Sequence, residues 1–294
     1  MRMHLFTNKT VLITGGGGGI GRAAAQRFLD QGATVVLSGT RLDRLEAVQR
    51  DLDPTGERTL LVAGSITTRE QAANLVERAI ERFGGVDVLV NSTGIFRPAA
   101  FGEQTEDHLE EALGSILRPT YWASQAVVES MRERGGGAIV NVGSMWAVDA
   151  IATTPTSAYS AAQAGRHMLT KNLAIELAAD GIRVNTVALA FVETPAYERF
   201  MTRDEAQACS IPSTASTRSA AAASPTTSRR RSSSSPPTAR AGSRAPRSRS
   251  TAACSRAAAR PCTRCWPRRL PSRRPRRPRS RRRPDLTRRR AASA

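Results

Sequence analysis

The chain has 294 residues, 44 Lys and Arg against 25 Asp and Glu, a formal net charge of +19 and four cysteines. A charge of that size ordinarily points to nucleic acid, but residues 211–294 hold 24 Arg, no Lys and one Asp, a formal +23, so residues 1–210 stand at −4. Composition thus excludes a basic binding face on residues 1–210, and with no long apolar span or leader the sequence predicts a soluble, cytoplasmic protein without a membrane partner.

The first predicted strand is Val11–Thr14, followed by a glycine run from Gly15 to Gly19, then Ile20 and Gly21, with a helix opening at Ile20. Residues without side chains let a backbone approach a phosphate closely, and the helix that follows offers unsatisfied N–H groups and a positive dipole end to the anion. Gly16, Gly18 and Gly21 fit the G-x-G-x-x-G spacing. Five consecutive glycines fit many patterns, so the strand before and the helix after carry the inference of a dinucleotide site.

Further strands are predicted at Thr34–Ser38, Leu60–Ala63, Val86–Asn91, Ala138–Val142 and Arg183–Val187, separated by helical patterns such as Gln71–Phe83 and Ser157–Ala179. Near-continuous apolar strands alternating with helices indicate a parallel sheet covered on both faces. The expected architecture is a single doubly wound (Rossmann) α/β domain over residues 1–208, with ligands at the carboxyl ends of the strands.

From Cys209 to Ala294 the chain is mostly Ser, Arg, Ala and Pro with almost no large apolar residues. Such a segment buries too little surface to offset its ordering entropy, which predicts a disordered basic tail. All four cysteines, Cys209, Cys254, Cys262 and Cys265, lie at or beyond this break. The Cys262-x-x-Cys265 pair has no second ligand pair at zinc-finger spacing, so no metal site is expected.

Four motifs in order, Thr14-Gly15-x-x-x-Gly19-Ile20-Gly21, Asn91-Ser92-Thr93-Gly94, Ser144 after the fifth strand, and Tyr159-Ser160-Ala161-Ala162-Gln163 on the next helix, resemble the short-chain dehydrogenase/reductase family from about Thr7 to Ala208. The resemblance implies hydride transfer between a nicotinamide dinucleotide and an alcohol or carbonyl substrate. Tyr159 would pass the proton and Ser144 would hold the substrate oxygen. Gly15, Gly19, Ile20, Gly21, Asn91, Gly94, Tyr159, Gln163 and Thr194 would contact the cofactor. Where members that prefer NAD carry an acid after the second strand, this chain has Gly39-Thr40-Arg41. A guanidinium there suits a 2′-phosphate and favours NADP over NAD; alternatively, Arg41 merely starts a solvated helix with Asp43 and Arg44. Phe96, Met145, Trp146 and Phe191 either line an apolar substrate pocket or pack their loops, and the substrate class stays open between a ketone, a steroid-like alcohol and an acyl thioester.

The chain departs from the family at telling positions. Gln163 stands where a lysine is usual, Ile116 where an asparagine completes the proton relay, Ser65 where an adenine-contacting aspartate is common, and Leu189-Ala190 where Pro-Gly follows the sixth strand. A free tyrosine ionises near about 10 and needs electrostatic help to act near neutrality, which glutamine lacks the charge to provide. Arg166 and His167 are candidate substitutes, though helix geometry sets His167 about 6 Å beyond Gln163 along the axis; both read equally as packing or subunit-contact residues. The expected function is an NAD(P)-dependent oxidoreductase impaired by Gln163. The alternatives are a cofactor-binding relative that has lost catalysis and, in another class, polyanion binding by the tail without sequence preference. Intact relatives resemble homodimers or homotetramers; for this chain assembly is in doubt.

The tail reads as a frameshift. Moved back one nucleotide with codons freely chosen, Ser213 to Ala220 can encode Val-His-Gly-Phe-His-Pro-Leu-Gly, resembling the family's next segment. The same shift lets Ser232 to Ser243 encode Val-Leu-Phe-Leu-Ala-Ser-Asp-Arg-Ala-Ser-Trp-Val, and Ser250-Thr251-Ala252-Ala253 encode the Val-Asp-Gly-Gly signature. Nucleotide sequencing tests this: one insertion or deletion between the codons for Ala208 and Ser213 should restore an open frame, and the absence of any such repair refutes it.

Overall fold

The structure is a computed structural model and describes residues 4–150, 154–190 and 192. In chain order it contains β1 (Thr10–Thr14), α1 (Gly19–Asp30), β2 (Thr34–Gly39), α2 (Leu42–Leu52), β3 (Thr59–Ala63) and α3 (Arg69–Phe83). There follow β4 (Val88–Asn91), α4 (Glu106–Ala112), a π-helical turn at Leu113–Leu117, α5 (Arg118–Glu133), β5 (Gly137–Ser144), α6 (Ser157–Glu176) and β6 (Ile182–Leu189). The strands form one parallel sheet in the order β3-β2-β1-β4-β5-β6. The order reverses between β1 and β4, which opens a crevice at their carboxyl ends.

The doubly wound architecture read from the sequence is the one observed. Packing explains why the centre of β1 is apolar: Val11 and Ile13 pack with Ala25 and Leu29 of α1 and Leu45 and Val48 of α2. Leu12, on the opposite face, joins Leu75 and Val76 of α3 and Val127 and Met131 of α5. Burying each such side chain contributes about 1.5–3 kcal/mol before entropy is counted. Both sheet faces are thus covered over β1 and its neighbours.

Several element ends differ from expectation, and three of them show local reasons. β4 begins at Val88 rather than Val86, because the Val86 N–H donates to Ser130 Oγ at 3.0 Å. Asp87, beside it, accepts from Lys9 Nζ, the Thr10 N–H and Arg134 Nη2 at 2.8–2.9 Å. Burial pushes the Asp87 carboxyl up, yet the bonds from Arg134, Lys9 and the Thr10 amide hold it below the ordinary carboxylate range. α3 starts two residues before the predicted Gln71 because Thr68 and Gln71 cap each other's backbone N–H groups. The last helix closes at Glu176 and tightens into a 3-10 turn at Ala178–Asp180, where Gly181 at φ +70° swings the chain into β6.

Among the described residues β6 is the sheet edge, and Arg183, Asn185 and Val187 on one of its faces are exposed. The expected tail, its cysteines, Phe191 and Thr194 lie outside the described residues.

Candidate active site

At the end of β1 the backbone folds back on itself. Gly15 adopts φ +71°, Gly16 N–H donates to Ser38 O at 2.9 Å and Gly18 N–H donates to Gly15 O at 3.0 Å. A Cβ on Gly15 would sit 2.8 Å from Ser92 O, and one on Gly21 only 2.3 Å from Gly15 O. Neither obstacle is a movable side chain, so these glycines are obligatory. Gly18 is less constrained, its Cβ meeting Gly15 O at 3.3 Å. Gly16 is tight as well, its Cβ meeting Leu37 Cδ2 at 2.9 Å and Leu37 Cα at 3.2 Å, so Gly15, Gly16 and Gly21 rather than Gly18 define the turn. α1 starts at Gly19 with no side-chain cap and no acid in its first turn. Its positive end, at Gly19, Ile20 and Gly21, therefore carries no side-chain counter-charge in the first turn.

An outer cleft of about 280 Å³ opens beside this turn, between Gly15, Gly17 and Gly18, the β2 end at Gly39–Arg41, Ser65 and Ile66, and the loop Ser92–Ile95. Arg41 lines it but is bonded to Asp43 at 2.9 and 2.6 Å, a pair that raises Arg41 and lowers Asp43 through their shared hydrogen bonds. Arg44, one helical turn on, lines the same cleft and has no carboxylate partner among the described residues. The sequence reading placed it only in a solvated helix. Its spacing of three residues from Arg41 was the available signal.

Asn91 lies beneath the cleft. Its side chain is fully buried, donating from Nδ2 to Asn141 Oδ1 at 2.9 Å and Ser124 Oγ at 3.2 Å. Asn141 donates onward to Thr170 Oγ1 at 2.8 Å, which in turn pairs with Thr186 Oγ1 at 2.7 Å. This polar rail crosses β4, β5, α6 and β6. It leaves Ser92, Thr93 and Gly94, not the Asn91 side chain, as the wall facing the cleft.

The same three residues also border an inner cleft of about 130 Å³, closed by Ile20, Phe96, Ser144, Trp146, Tyr159, Gln163, Arg166 and Leu189. Tyr159, Gln163 and Arg166 fall on one face of α6. Gln163 Nε2 donates to Tyr159 Oη at 3.0 Å. The Phe96 ring meets Tyr159 edge-on at 5.0 Å and Trp146 at 5.3 Å, so these rings form an apolar wall around the phenol. Met145 starts the turn beside this wall without lining the cleft. The Ser144 N–H donates to His167 Nε2 at 3.3 Å, and its Oγ accepts from the Trp146 N–H at 3.3 Å. His167 is thereby turned to Ser144. Burial, then Arg166 and Lys171, push its ionisation down, which suits an accepting imidazole.

Four buried side-chain polar atoms lack partners among the described residues, and three of them, Thr93 Oγ1, Trp146 Nε1 and Gln163 Oε1, belong to inner-cleft residues. Orphaned buried polar atoms are costly, and in the inner cleft they leave hydrogen-bonding capacity open to whatever fills it. A sugar hydroxyl meeting Gln163 Oε1, with an anion at the glycine turn, fits a dinucleotide laid through both clefts. Arg166 is the residue whose placement sequence reasoning missed, since its acceptors are carbonyls distant in the chain.

The fold and clefts define a Rossmann-like parallel α/β domain open at the carboxyl ends of β1 and β4. The family model for short chain dehydrogenase matches residues 9–205. The chain is 33% identical over 198 residues to a (2S)-[(R)-hydroxy(phenyl)methyl]succinyl-CoA dehydrogenase subunit from Thauera aromatica, covering 67% of this chain and 79% of that one. It is 34% identical over 191 residues to a 3-oxoacyl-[acyl-carrier-protein] reductase from Thermotoga maritima, covering 65% and 77%. Levodione reductase superposes with a TM-score of 0.62 at 32% identity, over 66% of this chain and 76% of the other. The chain belongs to the short-chain dehydrogenase/reductase family, whose members use NAD(P). No helix among the described residues is long and apolar enough to cross a membrane, and no cluster of His, Cys, Asp or Glu among them would hold a metal.

Gly21→Ala should destabilise the fold by about 1–3 kcal/mol in denaturant unfolding, the usual cost of overpacking. Gly102→Ala, where a Cβ meets nothing within 4 Å, should be neutral. Equal stability of the two variants would refute the close approach.

Proposed function

We propose that the protein is an NAD(P)-dependent oxidoreductase that interconverts an alcohol and a carbonyl, with NADP favoured over NAD. The observation that carries this is the Tyr159 phenol, held by Gln163 in the inner cleft with Ser144, continuous through Ser92–Gly94 with the glycine turn. Gly15, Gly19, Ile20 and Gly21 seat the pyrophosphate at the α1 N-terminus, and Gly94 lets the cofactor pass close to the loop after β4. Asn91 acts beneath it by holding that loop. Arg41 and Arg44 flank the position of a 2′-phosphate; Asp43 offsets Arg41 until phosphate displaces it, leaving Arg44 the readier partner. Thr194 closes the proposed cofactor contacts.

When bound, the nicotinamide supplies or accepts the hydride. Tyr159 Oη delivers the proton to the substrate oxygen in reduction and recovers it in oxidation, while Ser144 Oγ holds that oxygen. Gln163 Oε1 accepts from a ribose hydroxyl, and its amide N–H fixes the phenol. The rings of Phe96 and Trp146 exclude water. Since Gln163 is uncharged, proton transfer is slower than with a cation in contact, and the same observation favours a second reading, a cofactor-binding relative without turnover. We read residues 209–294 as out of frame, in keeping with a family match that ends at 205.

Consumption of NADPH and NADH over a panel of ketones and a 3-oxoacyl thioester separates the readings. The expected result is turnover with NADPH that falls at least about 100-fold in Tyr159→Phe and in Ser144→Ala, on the scale of general acid–base catalysis. NADPH binding without turnover by the wild-type chain favours the second reading, and turnover unaffected by Tyr159→Phe overturns the assignment of the phenol.

A further inference from the structure

The inner cleft contains a positive charge with no partner of opposite sign. Arg166 is only 1% exposed. Its Nε donates to Thr120 Oγ1 at 2.8 Å, Nη1 to Val142 O at 2.6 Å, and Nη2 to Thr93 O at 2.7 Å and Ile116 O at 2.9 Å. All four acceptors are neutral, and no carboxylate pairs with it among the described residues. A guanidinium has five N–H donors, so the fork is nearly saturated and cannot grip an anionic ligand through two parallel bonds. What remains free is its charge, and a buried charge without a counter-ion is costly.

Helical geometry directs that charge. Tyr159, Gln163 and Arg166 share one face of α6, and all three border the same inner cleft, which brings that charge to the cleft of the phenol. Burial pushes the Arg166 ionisation down to about 10 while Tyr159 acts in the opposite sense, so the guanidinium stays charged near neutrality.

We propose that Arg166 is the fixed cation of the reaction centre, stabilising through space the negative charge that forms on the Tyr159 oxygen when the phenol releases its proton. Gln163, in contact with that oxygen, orients it and brings no charge. The inference rests on the reading of Tyr159 as the proton-transfer group.

Among the described residues, the other surroundings of the phenol leave this role to Arg166. On α6 itself His167 is turned to the Ser144 amide. The π-turn presents Leu113 and Ile116, the loop after β4 presents Phe96, and β5 with its following turn presents Ser144 and Trp146. β6 brings Leu189, which is uncharged. α4 packs through Ala112, its acids Glu110 and Glu111 being tied to Arg118 and Arg97, and Asp149 is exposed. Arg166 acts as a positioning residue: it touches neither substrate nor cofactor, and it also gathers carbonyls from three walls of the cleft.

Ultraviolet titration of the Tyr159 phenolate, taken as the difference between each protein and its Tyr159→Phe counterpart, separates charge from packing and needs neither cofactor nor turnover. Arg166→Met should raise the midpoint by about one pH unit, a tenfold loss of phenolate at fixed pH, and adding Gln163→Lys should bring it back. Unchanged midpoints in folded Arg166→Met overturn the proposal, as does a shift that Gln163→Lys fails to reverse. Should Arg166→Met not fold alone, the same substitution is read within Gln163→Lys, where an equal rise supports the role and no rise removes it. Turnover persisting in Tyr159→Phe would sink the assignment of the phenol while leaving this titration interpretable.

Discussion

The approach of Gly21 to the Gly15 carbonyl oxygen is the constraint on which the rest of the site depends. A Cβ there would lie 2.3 Å from a backbone oxygen that itself accepts the Gly18 N–H at 3.0 Å. With that contact satisfied, α1 can start immediately at the crevice between β1 and β4, its unfilled N–H groups facing outward. The loop after β4 then closes over Gly15, and Ser92 to Gly94 become the common wall of two clefts. Local backbone chemistry and global strand order converge on one place.

Behind that wall the site is held by polar groups inside an apolar domain. Asn91, Asn141, Thr170 and Thr186 satisfy one another across three strands and a helix. Arg166 ties carbonyls from the β4 loop, the π-turn and β5. Such networks stabilise only when every member is satisfied, and they then specify a single arrangement. The unsatisfied atoms concentrate where a ligand would lie, at Thr93, Trp146 and Gln163. The domain is closed where it needs rigidity and incomplete where it needs a partner.

Strands, the parallel doubly wound sheet and the glycine turn were legible because they follow from local patterning: short apolar stretches of three or four residues alternating with helical patterns, and a glycine stretch between a strand and a helix. Strand ends were less so, since Val86 and Asp87 look like strand but are recruited by Ser130, Thr10 and Arg134, far off in sequence. The π-turn at Leu113–Leu117 leaves no signature beyond ordinary helical residues. Tyr159, Ser144 and Gln163 could be singled out by their resemblance to the family's motifs, and the structure brings them to one cleft. Arg166 stood out as a charge, but its meaning depends on four acceptors contributed by distant segments. Asn91 was placed in the right loop, though only three dimensions show its amide facing the sheet interior rather than the cleft.

The central claim is that the β1–α1 turn seats a dinucleotide whose ring reaches Tyr159. Calorimetric titration of the full chain with NADPH and NADH tests it most directly, with Gly21→Ala as the reference. The expected result is saturable one-site binding, tighter for NADPH, that the substitution abolishes. No heat with either reduced cofactor, or equal binding by the Gly21→Ala chain, would contradict it.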